Sequence, residues 1–243
     1  MENQYIIPSY GRKRHRGLSD AQKNDIHTLY KLYGINDPEK DIPEICAEKL
    51  GRKVVLEIGF GNGELLLQQA NLHPDMQFIG CDPFENGVVT MLRDIHGRNL
   101  QNVHIFKGDA RLLLEKLPEQ SLRDVYVLFP DPWKKRRHHK RRLLSSKFIN
   151  KLMQKLSAAG NLMVATDHEG YMLEILANLR TVPNARYCGN KEGLTVKPHC
   201  YPGETKYERK ALDSGRKCYY LQIRPIHGQQ GTDTNPLPTP QYG

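Results

Sequence analysis

The sequence predicts an α/β fold: a mostly parallel sheet with helices on both faces. Three observations predict it. Between Val54 and Leu179, short apolar runs alternate with amphipathic segments of helical period. The runs end at or near acids: Glu57, Asp82, Asp109, Asp131 and Asp167. The first run also opens into a glycine-rich turn, Gly59-Phe60-Gly61-Asn62-Gly63. Strands alternating with helices need crossover connections, which build parallel sheets. Ligands of such sheets bind beyond the carboxyl ends of the strands, where these acids would collect.

The elements follow in order. Residues 1–17 are polar and basic, with Arg12-Lys13-Arg14-His15-Arg16, and read as a flexible arm. Ser19 is placed to cap a helix running to Tyr33, with Ile26, Leu29, Tyr30 and Tyr33 on one face and Gly34 as its stop. Residues 38–43, bounded by prolines, read as a loop. Strands are expected at 54–58, 78–81, 103–106, 124–129 and 162–165. Helices are expected at 64–72, 86–97, up to 117, 145–156 and up to 179. Residues 189–215 are rich in Gly, Pro, Lys and Glu and read as a long loop, a kind of segment that often carries function. Residues 218–224 alternate and read as a last strand. The segment 228–243 has three prolines and no periodicity, and is expected to be disordered. The organisation read here is an arm at 1–17, a single domain at 18–226 and a tail at 227–243.

Composition narrows the function. A chain of 243 residues with 38% hydrophobic and 26% charged residues is not mainly disordered. No apolar run approaches the roughly 20 residues of a membrane helix. The N-terminus lacks an apolar h-region, so no secretory signal is expected. The 5 cysteines are odd in number, with no C-x-x-C pair. Neither a disulfide framework nor a zinc site is expected. They read as reduced thiols of a cytoplasmic protein. The 36 Lys and Arg outnumber the 27 Asp and Glu, for a net charge of +9. That excess suggests a polyanionic partner, nucleic acid ahead of membrane.

The glycine turn discriminates among cofactors. A dinucleotide fingerprint needs G-x-G-x-x-G after the strand. Counted from Gly59, the third glycine would fall on Glu64; counted from Gly61, the pattern fails at Leu66. The spacing is instead Glu57-x-Gly59-x-Gly61-x-Gly63. A pyrophosphate beside Glu57 would be repelled. S-adenosylmethionine fits better, because its ammonium and sulfonium are cationic. Asp82 is placed to accept the ribose hydroxyls, and Asp109 the adenine amino group. A tight strand-to-helix turn with incidental acids is the plainer alternative.

Residues 129–142 read Phe-Pro-Asp-Pro-Trp-Lys-Lys-Arg-Arg-His-His-Lys-Arg-Arg. Basic charge at a strand end can hold a phosphodiester backbone. Trp133 offers either a stacking face for a base or packing against the sheet edge. No third ligand is placed near His138-His139, so no metal is expected.

Taken together, Glu57-x-Gly59-x-Gly61-x-Gly63, Phe129-Pro130-Asp131-Pro132-Trp133, the run Arg137 to Arg142 and Thr205-Lys206-Tyr207-Glu208 resemble the tRNA (guanine-N7)-methyltransferase family over residues 50–224. The resemblance implies a Rossmann-like, seven-stranded methyltransferase using S-adenosylmethionine on guanine 46 of the tRNA variable loop. It implies a cofactor site of Glu57, Gly59, Gly61, Gly63, Asp82, Asp109 and Asp131, with Asp131 catalytic. Lys135, Asp167, Thr205, Lys206, Tyr207 and Glu208 would contact substrate. Arg137, His138, His139, Lys140, Arg141 and Arg142 would bind RNA. No protein partner would be required, and the chain would be a monomer or homodimer. Two departures stand out: Asp82 replaces a commoner Glu, and Tyr207 a commoner Phe.

The chemistry implied is light. Guanine N7 has a lone pair and no proton, so attack on the methyl needs positioning and electrostatics rather than a general base. Asp131 would accept from guanine N1–H and its amino group, or stabilise developing charge; Asp167 and Glu208 are further candidates for reading those donors. Other readings are methylation of another nucleic-acid position, a non-catalytic RNA-binding module and a small-molecule methyltransferase. Pro132-Trp133 after the acid argues against amino-group methylation, where Pro-Pro-aromatic is usual. The basic run argues against a small-molecule substrate.

Overall fold

A computed structural model describes residues 17–46, 53–188 and 193–226. The predicted arm, apart from Gly17, and the tail lie outside the described residues. Seven strands form one sheet: β1 (Val54–Ile58), β2 (Gln77–Cys81), β3 (Val103–Phe106), β4 (Leu122–Leu128), β5 (Leu156–Thr166), β6 (Ala185–Tyr187) and β7 (Tyr219–Pro225). Their spatial order is β3-β2-β1-β4-β5-β7-β6. The first five are parallel, and β7 runs antiparallel to both β5 and β6. The order reverses between β1 and β4. That switch point opens a crevice at the carboxyl ends of the two strands.

Among the described residues eight α-helices cover the sheet: α1 (Asp20–Tyr33), α2 (Pro38–Ile45), α3 (Glu64–Leu72), α4 (Glu85–Gly97), α5 (Ala110–Lys116), α6 (Ser146–Lys155), α7 (Glu169–Leu179) and α8 (Lys206–Asp213). Strand β1 shows how two faces are made. Val54, Leu56 and Ile58 join the core layer that holds Ile42 of α2, Leu113 of α5, Phe148 of α6 and Tyr171 of α7. Val55 joins the opposite layer with Leu66 of α3 and Met91 of α4. Period-two alternation dictates this division, and it sends Glu57 to the α3 side.

Helix α1 forms as the sequence predicts. Ser19 and Gln22 make a reciprocal capping box. Gly34 ends the helix in extended conformation, and a side chain is excluded there because a Cβ would lie 2.4 Å from the Tyr30 carbonyl oxygen. The chain then runs beside β3, where the Ile35 N–H donates to the Ile105 carbonyl at 2.8 Å. This covers an otherwise open sheet edge.

Three expectations are corrected. Residues 38–43 are not a loop but part of α2, capped by Asp37, with Pro38 in the first turn and Pro43 inside. Burial of Ile42 and Ile45 outweighs the one helical bond that Pro43 cannot make. The fifth strand is longer than expected and begins at Leu156, with a register irregularity opposite β4. Within 189–215, α8 forms on a second capping box, Thr205 with Glu208. Strand β6 completes the seven strands that the resemblance implies; its three residues are too few to show alternation in the sequence.

Candidate active site

The glycine turn joins β1 to α3 at the switch point. Gly59, Gly61 and Gly63 all adopt left-handed φ, at 77°, 60° and 75°. Only glycine takes this conformation without strain. At Gly63 a side chain is excluded twice, since its Cβ would sit 2.0 Å from the Met91 sulfur. Sequence reasoning missed Gly87, in the first turn of α4. A Cβ there would lie 2.4 Å from the Gly61 carbonyl oxygen, so Gly87 lets α4 press against the turn. Its only local signal is a glycine inside a helical pattern.

Glu57 is 5% exposed. Its carboxylate accepts the Leu66 N–H in the first turn of α3, while Oε2 has no hydrogen-bond partner. Burial, reinforced by the charge of Asp82, pushes its pKa from an ordinary 4.5 up to about 8, and the Leu66 N–H opposes this. A cation or an N–H donor at Oε2 would relieve that penalty. Asp82 is 4% exposed at the end of β2. It accepts from Gly61 N–H at 3.1 Å and Phe84 N–H at 2.9 Å. Burial still raises its pKa to about 6. An orphaned buried carboxylate oxygen beside an open turn (nothing lies within 4 Å of a Cβ placed on Gly59) fits a cofactor with a cationic amino-acid end.

Asp109 is engaged differently. It caps α5, accepting Arg111 N–H at 2.8 Å, and Arg111 grips it through a fork, with Nη2 at 2.6 Å. Any ligand contact at Asp109 therefore works beside a guanidinium that the sequence reading overlooked.

Asp131 lies exposed on the segment after β4. This segment is strained: Phe129 and Trp133, neither a glycine, have φ of 53° and 45°. Such residues cost on the order of 1–3 kcal/mol each and persist only where surroundings hold them. Two ties are visible. Phe129 N–H donates to the Ala165 carbonyl at 2.7 Å, and Arg142 Nε donates to the Pro132 carbonyl at 2.8 Å.

The basic run forms a short 3₁₀ helix, Arg136–Arg141. Lys134, Lys135, Arg136, Arg137 and Lys140 are exposed. Trp133 packs within the loop, with the Arg141 guanidinium 5.0 Å from its ring centre and His138 edge-on at 5.7 Å. Burial first, then Arg141 and its cationic neighbours, lower the His138 pKa. His139 lies 3.7 Å from Glu174 of α7. Arg142 departs from its expected place on the RNA face. Its side chain is 3% exposed, pairs with Glu174 at 2.5 Å and lies over the Tyr171 ring at 4.8 Å. It belongs to the packing of the loop on α7.

The distant Thr-Lys-Tyr-Glu segment does reach the site. Tyr207, 58% exposed, sits where a Cβ on Gly61 would meet its Cε2 at 3.4 Å. Lys206 is exposed. Glu208, expected to read guanine, is instead fully buried; its Oε1 accepts from the Tyr220 hydroxyl at 2.5 Å and Lys197 Nζ at 2.6 Å. Thr205 caps α8. Asp167 pairs with Arg216, another partner missed in sequence. Among the described residues no group of His, Cys, Asp or Glu could hold a metal. All five cysteines are free thiols.

A parallel sheet with this strand order, a glycine turn over a buried acid and an acid-Pro-Trp segment across the switch point define a Rossmann-like methyltransferase. The fold agrees: a solved antibiotic-related methyltransferase superposes with a TM-score of 0.54 over 79% of this chain and 96% of its own, at 13% identity. A family described as "putative methyltransferase" matches residues 51–221. Curated relatives include the tRNA (guanine-N(7)-)-methyltransferases of Wolbachia pipientis wMel, 34% identical over 87% of this chain and 91% of the relative, and of Ruegeria sp. strain TM1040, 36% identical over 88% and 86%. That of Alkalilimnicola ehrlichii is 35% identical over 90% and 92%. The chain belongs to the tRNA (guanine-N7)-methyltransferase family.

Proposed function

We propose that this chain transfers a methyl group from S-adenosylmethionine to N7 of guanine 46 in the tRNA variable loop. The observation that carries the reading is the placement of an orphaned buried carboxylate, Glu57, on one side of the switch point and Asp131 with the basic run on the other.

S-adenosylmethionine, when bound, supplies a methyl on a positively charged sulfur. Glu57 balances the positive amino-acid end, and Asp82 accepts from the ribose hydroxyls. Asp109, held by Arg111, accepts at the adenine edge. Asp131 accepts from guanine N1–H and the exocyclic amino group, which turns N7 toward the methyl and selects guanine over adenine. No base need remove a proton, because N7 carries none. Lys135 and the exposed cations of the run, Arg137 and Lys140 foremost, meet phosphate. Asp167 contributes to substrate binding through its pairing with Arg216. No other protein is needed for the reaction, and the enzyme acts in the cytoplasm. Among the described residues no helix is long and apolar enough to cross a membrane.

The test uses unmodified tRNA transcripts with G or A at position 46, labelled cofactor and mapping by reduction and aniline cleavage. Cleavage at G46 alone, absent with A46 and with Asp131→Ala, is the expected result. Label in the RNA without cleavage would overturn the N7 assignment. The chief alternative, a non-catalytic RNA-binding module, predicts no label with any transcript.

A further inference from the structure

The Thr-Lys-Tyr-Glu segment is divided by its own geometry. Tyr207 points outward to the glycine turn and Glu208 inward to the core. Every oxygen of Glu208 is occupied by the chain itself. Oε1 receives Tyr220 and Lys197, and Oε2 lies 3.4 Å from both the Tyr201 hydroxyl and the Thr205 N–H. Lys197 also lies over the rings of Tyr201 and Tyr220, at 5.5 Å and 5.9 Å. A carboxylate with no exposure and no vacant acceptor direction cannot also read a base. What it does is join three pieces of chain: the strap at 194–205, helix α8 and strand β7. The strap is further seated on α3, where Gln69 Nε2 donates to the Pro202 carbonyl at 2.7 Å. Helix α8 starts at the end of this strap, so its first turn, with Tyr207, is set by the same junction.

We propose that Glu208, with Lys197 and Tyr220, is a positioning residue that holds the Tyr207 ring against Gly61, where the ring closes the glycine-turn side of the cofactor site. The inference rests on the methyltransferase reading above, and assigns Tyr207 to the cofactor rather than to the RNA. A Cβ built on Gly61 would meet ring carbon Cε2 at 3.4 Å and the hydroxyl at 3.8 Å, so the ring edge is the part of Tyr207 nearest the turn. The ring, not the hydroxyl, is therefore what matters, and Phe serves equally at this position.

The experiment titrates S-adenosylhomocysteine calorimetrically into the full chain and its Tyr207→Ala, Tyr207→Phe, Glu208→Gln and Lys197→Met variants. The KM for tRNA and for S-adenosylmethionine are measured beside it. Tyr207→Ala and Glu208→Gln are expected to weaken S-adenosylhomocysteine about tenfold and raise the cofactor KM, while the tRNA KM stays at the wild-type value. Lys197→Met follows Glu208→Gln, and Tyr207→Phe binds as wild type. A raised tRNA KM with unchanged S-adenosylhomocysteine affinity would overturn the assignment. So would a Glu208→Gln variant that melts lower yet binds as wild type below its transition. Should Glu208→Gln fail to fold, Tyr207→Ala decides alone, because its side chain is mostly exposed. If the wild-type chain bound no S-adenosylhomocysteine, the methyltransferase reading would fail first, and this inference with it.

Discussion

Replacing Arg142 by Ala tests whether the basic run is one RNA-binding surface or two kinds of residue. Arg142 makes three contacts that Ala cannot. Its bond to the Pro132 carbonyl is charge-assisted and partly buried, worth about 2 kcal/mol. Its place over Tyr171 is desolvated, worth about 2 kcal/mol more. The pairing with Glu174 counts for only about 0.5 kcal/mol, because the Glu174 side chain is 32% exposed and water screens it. Freeing a long side chain returns roughly 1.5 kcal/mol of entropy. The net expectation is a loss of about 3 kcal/mol, read by urea unfolding. Because Pro132 follows Asp131 directly, kcat should fall as well. Binding of tRNA should respond differently. Arg142 meets no phosphate, so the slope of log K against log salt should be unchanged. In Lys140→Ala, which removes an exposed cation, the slope should become shallower by about 0.7–1 with stability intact. An Arg142→Ala chain of wild-type stability with a shallower salt slope would refute this division.

Four further outcomes follow from the same structure. The raised pKa of Glu57 means the folded chain without ligand holds a proton that the unfolded chain has lost between about pH 4.5 and 8; stability therefore falls as pH rises across that window, Glu57→Gln removes the part of the fall above about pH 6, the part below it being shared with Asp82, and a pH-independent wild-type midpoint would contradict it. Cofactor binding at Glu57 should release protons near pH 7, seen as a buffer-dependent heat in calorimetry. Gly87→Ala drives a Cβ into the Gly61 carbonyl; overpacking of this kind costs about 1–3 kcal/mol, and S-adenosylhomocysteine affinity should fall while tRNA affinity holds. Asn161 accepts from Gln222 and Arg224, both at 2.8 Å, and donates to Asp124 at 2.9 Å; Asn161→Leu should cost about 2–4 kcal/mol in urea unfolding with little change in the cofactor KM.

Much of the site is legible because its chemistry is local. The Glu57 to Gly63 turn needs left-handed backbone at three alternate positions, and only glycine supplies it without strain, so the turn announces itself in seven letters. The helix predicted at 64–72 is α3 with the same bounds, because it starts at that turn and its apolar face is strong. The acids at strand ends are legible for a related reason: each sits where a short apolar run stops. The sheet's parallel core, the location of the crevice and the acids of its rim are thus legible from the chain alone.

What it could not determine is which polar side chains face that crevice. Arg142 and Arg137 belong to one run of letters, yet one is buried against Glu174, 32 residues away, and the other is exposed. Glu208 closes a junction with Tyr220 and Lys197, and Gly87 matters only because α4 crosses behind Gly61. Helix α2 forms through Pro43 for the same kind of reason, since the core holds Ile42 and Ile45. Local sequence sets backbone conformation and the chemistry a residue can offer. Burial and pairing depend on contacts between segments far apart in the chain, and only the packed tertiary structure brings those together.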